Sequence, residues 1–191
     1  MRRFLWLLLL TPVTVLLVAL SACTSRAPSP AQPKPEFRLT ATIQDIMDGV
    51  VDPKADELWQ SVATTISAAG TEERFPKTDE DWKTLRRAAI TMMEGTNLLQ
   101  MEGRLVAKPG VKSENPNIEL EPEQIEALIN QDRAAFIKLA HGLHDAGMAA
   151  LKAIDAKNVQ GLSDAGETID TACENCHLKY WYPLPVKPKT E

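Results

Sequence analysis

Apolar residues recur along this chain at spacings of three and four, the period of helices that bury one face. Between Thr40 and Val51 the stripe is Ile43, Ile46, Met47 and Val50. Asp52-Pro53 then reads as an N-cap with proline at the first helical position, and a second segment runs to about Ala69, where Gly70 stops it. The pattern leaves open whether these are two helices or one kinked helix. Thr78 caps the next helix, with Asp81 three residues on in an approximate capping box. From there Trp82, Leu85, Ala89, Met92, Thr96 and Leu99 alternate steps of three and four, the seam of a helix bundle. Lys108-Pro109-Gly110 ends that region, and residues 106–121 read as a long polar loop.

Pro122 opens a third long helix, running to about Asp155. Its apolar face holds Leu128, Ala135, Leu139, Leu143, Ala146 and Ala150, and Gly142 and Gly147 are points where it can bend. The last helix begins near Asn158 and carries Leu162, Ala165, Ile169, Ala172, Cys173 and Cys176 on one side. No stretch sustains two-residue alternation, and there is neither an internal repeat nor a GxGxxG. The pattern predicts an all-α fold.

The ends differ from this middle. Arg2 and Arg3 precede an apolar run from Phe4 to Leu20, broken by Thr11, Pro12 and Thr14, which has the form of a secretory signal peptide. The run is short for a spanning helix and holds a proline. It ends Leu20-Ser21-Ala22-Cys23, which resembles the lipobox of bacterial lipoproteins. That resemblance implies cleavage before Cys23, a lipid on its sulfur, and, with Thr rather than Asp at position 24, the outer membrane. Pro28, Pro30, Pro33 and Pro35 make the next stretch a semi-rigid tether of ~3.1 Å per residue in polyproline II. The expected organisation is a leader at 1–22, a tether at 23–38, a helical domain at 39–182 and an irregular tail at 183–191.

Cys173-Glu174-Asn175-Cys176-His177 is the signature of c-type haem attachment. Residues three apart share a helix face, so both cysteines can reach the vinyl groups of one porphyrin. His177 follows at once as the candidate proximal iron ligand. A thioredoxin-like pair normally opens a helix after a strand, and a zinc site needs four ligands, with only His141 and His144 nearby. An odd cysteine in an exported chain needs a use. Here one goes to lipid and two to a single haem c. Formal net charge is −5, more acidic once Arg2 and Arg3 are removed, which argues against nucleic acid and for basic or mixed protein partners.

An all-α chain with one Cys-x-x-Cys-His on its last helix resembles the class II cytochromes c, cytochrome c′ and its low-spin relatives, over roughly residues 40–182. The resemblance implies a four-helix bundle with haem on the C-terminal helix and a sixth iron position facing the first helix. Low-spin members have Met there, commonly in a Leu-Met pair, and Ile46-Met47 matches it. Met47 is thus the candidate sixth ligand, with Met92 and Met93 as weaker rivals and core packing as its alternative role. Members often follow the haem histidine with x-x-aromatic-basic. Tyr180 matches the aromatic, but Trp181 stands where the base would be, which puts in doubt gas chemistry that relies on that cation. The Asp52-Pro53 break is also unlike the continuous first helix of typical members.

His141 and His144, at i and i+3, can share a helix face and bind a metal, although such residues are more often surface or hydrogen-bonded. Trp59 and Trp82 are expected in the core or the haem pocket. No convergent acid–base pair and no nucleophile with a base is visible. The expectation is a membrane-tethered periplasmic electron carrier rather than an enzyme, with a redox protein and the membrane as partners and a homodimer left open. The alternatives are a five-coordinate haem protein that senses or scavenges small gases such as nitric oxide and carbon monoxide, and peroxidase chemistry assisted by His141 or His144.

Overall fold

Thr42 starts the first helix by a reciprocal cap: its hydroxyl accepts from the Asp45 N–H at 3.1 Å, and the Asp45 carboxylate accepts from the Thr42 N–H at 2.9 Å. In the computed structural model, which describes residues 37–183, helix α1 (Ile43–Ile46) passes through a π-helical turn (Met47–Val51) directly into α2 (Asp52–Trp59). The expected N-cap at Asp52 is therefore absent. Asp52 is itself helical, and its N–H donates to the Met47 carbonyl five residues back. Pro53 explains the turn. A proline in mid-helix lacks an N–H and crowds the carbonyl four residues behind, and a wider turn just ahead of it relieves both. The leader, Cys23, nearly all of the tether and all but the first residue of the tail lie outside the described residues.

Beyond Trp59 the helix expected to reach Ala69 is replaced by a hairpin, so the fold is mainly α with a small sheet. Strands β1 (Ala63–Ser67) and β2 (Gly70–Arg74) pair antiparallel, from Ala63 opposite Arg74 to Ser67 opposite Gly70. Thr64, Thr65 and Ile66 are β-branched and favour strand, and Gly70 takes the φ of +130° that the turn demands. Alternation was absent because there is no buried face to produce it: all hairpin positions except Ala63 are exposed.

Helix α3 (Asp79–Leu99) has the anticipated Thr78–Asp81 capping box, and its six seam residues are all buried. Gly95 lies on the same helix where Val51 approaches; a Cβ there would stand 2.7 Å from Val51 Cγ2. The loop after α3 is less polar than expected, with Val106 and Ala107 buried. Its Leu105 and Val106 carbonyls accept from the Ile43 and Gln44 N–H groups at 2.9 and 3.0 Å, satisfying donors that a helix start leaves free.

The third predicted helix is two. Helix α4 (Pro122–Gln131) ends at Asp132, whose backbone leaves the helical region at φ −137°, ψ 66°, and whose carboxylate caps α5 (Arg133–Asp155) through the Ala135 N–H at 3.0 Å. The break thus falls at Asp132 rather than at Gly142 or Gly147. Leu128 is only half-buried, and Ile125 and Ile129 carry the buried face of α4. Helix α6 (Val159–Tyr180) starts at Asn158, whose side chain accepts from the Gly161 N–H. Helix α5 packs along both α3 and α6, and α2 meets α3 and α6. The α2–α6 contact is fixed by the Trp59 indole N–H, which donates to the Gly166 carbonyl at 3.0 Å.

Candidate functional site

Leu162, Ala165 and Ile169 hold the buried side of α6 against the core, and continuing that side toward the C-terminus brings round Ala172, Cys173 and Cys176. Both cysteines are free thiols, half-buried, one turn apart. They line a small apolar cavity of about 40 Å³ with His177, Trp181 and Met47. Ile43, Leu99, Phe136, Leu139, Ala140, Leu143 and Ala172 supply the rest of its wall. His177, Trp181 and Met47 also line a wider opening of about 250 Å³, roofed by the loop from Val111 to Leu120.

Met47 is the first residue of the π-helical turn, so the backbone irregularity forced by Pro53 lies where this side chain meets the cavity. Met92 and Met93 are buried elsewhere, against Gly147 of α5, and line neither opening. Trp82 is buried in the core and Trp59 sits at the α2–α6 contact, away from the thiols. His141 is exposed, and His144 is half-buried with Nδ1 4.0 Å from the Asp145 carboxylate. Among the described residues no three His, Cys, Asp or Glu side chains gather as a metal-ion cluster.

Burial decides the protonation of the site. It pushes the Cys173 thiol up to about 11, with Asp170 and Asp52 adding to the effect, and the Cys176 thiol up to about 12. Both are thiols near neutral pH, not the thiolates that disulfide exchange requires. Burial also lowers the His177 pKa, against an upward pull from Glu174, Asp52 and Glu119. A neutral imidazole offers a lone pair to a metal.

The donors fit a haem. Two protonated thiols on one helix face, an adjacent neutral imidazole, a thioether from another element and an otherwise apolar wall are what a covalently held iron porphyrin needs. Pattern reasoning singled out Cys173, Cys176, His177 and Met47, and all four line one cavity. It passed over Leu99 and Phe136 as pocket residues, and Trp181 and Tyr182 as neighbours of His177. The Trp181 ring lies 5.9 Å from the imidazole and the Tyr182 ring 6.0 Å. Tyr180, by contrast, is buried edge-on against Phe136 at 5.7 Å. No protein-family model, curated protein or solved structure matches the chain.

Proposed function

We propose that the chain is a lipid-anchored periplasmic c-type cytochrome that carries one covalent haem and passes single electrons, folded as a four-helix bundle of the class II cytochrome c kind. The observation that carries this is the shared cavity of Cys173, Cys176, His177 and Met47. The bundle finds support in α3, α5 and α6, three long helices with buried stripes, and in the α1–α2 segment packed on α3. When bound, the haem supplies a reversible one-electron couple. Cys173 and Cys176 would hold the haem covalently through thioether links to its vinyl groups, an S–H addition that consumes no oxidant. His177, its imidazole kept neutral by burial, would be the proximal ligand to the iron. Met47 would offer its thioether as the second protein ligand, and Met/His ligation would raise the potential. Leu99, Phe136, Leu139 and Leu143 keep water from the apolar face.

The position of Met47 on the cavity wall favours this electron-carrier reading over five-coordinate gas binding, which needs that site open. The test is expression with a c-type maturation system, followed by a denaturing gel stained for haem peroxidase activity. The protein band stains. An unstained band, in a host that matures control cytochromes, overturns the assignment.

A further inference from the structure

An axial histidine is ordinarily held in one orientation by a hydrogen bond from its second ring nitrogen. His177 has no such bond: neither ring nitrogen meets a partner among the described residues. What surrounds the ring instead is the end of its own helix. The Trp181 and Tyr182 N–H groups both donate to the His177 carbonyl, at 2.7 and 3.0 Å, folding the chain back over that residue. The turn sets two aromatic rings beside the imidazole, inclined to it by 53° and 60°.

Each aromatic is itself tied down. The Trp181 carbonyl accepts from the Leu120 N–H at 2.8 Å, which joins the turn to the loop roofing the wider opening. The Tyr182 hydroxyl donates to the Glu174 carboxylate at 2.7 Å. Glu174 lies between the two cysteines, so the Tyr182 ring is fastened to the segment that would carry the haem. Trp181 also lines both openings, the small apolar one and the wider one beneath the loop.

We propose that Trp181 and Tyr182, the latter held by Glu174, are positioning residues that orient the His177 imidazole on the iron by aromatic packing. This rests on the haem assignment above. Packing can do the work of a hydrogen bond here because the flanking rings restrict rotation of the imidazole about χ2, a torsion that is otherwise broad. The chain thereby spends the position where its resembled family often carries a cation on an aromatic wall.

The test uses the matured, haem-loaded full chain. Trp181→Ala, Trp181→Phe, Tyr182→Phe and Glu174→Gln are compared with wild type by haem stain, thermal melting, ferric electron paramagnetic resonance and reduction potential. Covalent haem content stays at the wild-type level in all four, because the thioether links are untouched. Trp181→Ala shifts both the g-values and the potential, Trp181→Phe returns them toward wild type, and Tyr182→Phe and Glu174→Gln share one smaller shift. A folded, haem-loaded Trp181→Ala with wild-type g-values and potential overturns the proposal. If Trp181→Ala does not fold, unchanged g-values in both Tyr182→Phe and Glu174→Gln overturn it equally. A wild type without covalent haem overturns the haem assignment itself, an outcome seen before any variant is compared.

Discussion

Met47 and Asp132 show how one side chain decides a local outcome. Met47 separates the two functional readings. With its thioether on the iron, the matured protein is six-coordinate and low-spin, and carbon monoxide binds slowly because Met47 must first leave. Met47→Ala then turns the ferric spectrum high-spin and speeds carbon monoxide binding by orders of magnitude. A low-spin spectrum unchanged by the substitution would assign the sixth position to another residue, and a high-spin wild type would move gas binding ahead. Asp132 works on stability. The Ala135 N–H, and then Lys179 at 3.4 Å, hold its carboxyl below the usual value of 3.8. A lowered folded-state pKa contributes stability that is complete above the unfolded value and is lost as pH falls through the folded one. Asp132→Ala is therefore less stable than wild type at neutral pH, and the difference shrinks as pH falls below about 3.8, as denaturant melts across pH 2–7 would show.

Two glycines of α5, read alike from sequence as places to bend, have opposite roles in the element. At Gly142 an added Cβ meets nothing within 4 Å, whereas at Gly147 it would stand 2.5 Å from Met93 Cγ. Alanine in a helix is favoured over glycine by ~1 kcal/mol. Overpacking costs about 1–3 kcal/mol. Gly142→Ala should thus stabilise the fold by up to about 1 kcal/mol, and Gly147→Ala should destabilise it by a similar or larger amount; chemical denaturation of both variants decides. The contrast marks the limit of pattern reading. The seam from Trp82 to Leu99, the cap at Thr78 and the start of the last helix near Asn158 were legible because periodicity and capping are local. The break at Asp132 was not, because nothing in its composition distinguishes a cap between two helices from a polar residue inside one. The hairpin escaped for another reason: with no buried face its sequence carries no alternation, and its two-residue loop is Ala68-Ala69 in place of the usual turn formers. The site residues were legible through the spacing of Cys173, Cys176 and His177. Trp181 and Tyr182 acquire meaning only when the end of α6 turns back on His177.

At the scale of the whole chain, the proposed attachment to a membrane depends on one atom, the Cys23 sulfur. Among the described residues no helix is long and apolar enough to cross a membrane. The grounds for anchoring are the apolar run ending Leu20-Ser21-Ala22-Cys23 and the proline-rich stretch behind it. Each buried methylene contributes about 0.8 kcal/mol, so a single acyl chain holds a protein only reversibly while two or more hold it firmly. With one cysteine proposed for lipid and the other two for haem, anchoring and haem chemistry should separate cleanly. In a host that processes lipoproteins, wild type is expected in the membrane fraction, with acyl mass on the peptide beginning at Cys23. Cys23→Ser should either appear in the soluble periplasmic fraction or retain its leader. Where it is exported and matured, its haem stain, ferric spectrum and reduction potential should match wild type. A wild-type protein that is soluble, with an unmodified Cys23 peptide, would reject the anchor and leave the haem assignment standing. Loss of haem in an exported Cys23→Ser would mean instead that the third thiol has a role in maturation, contrary to one cysteine for lipid and two for haem.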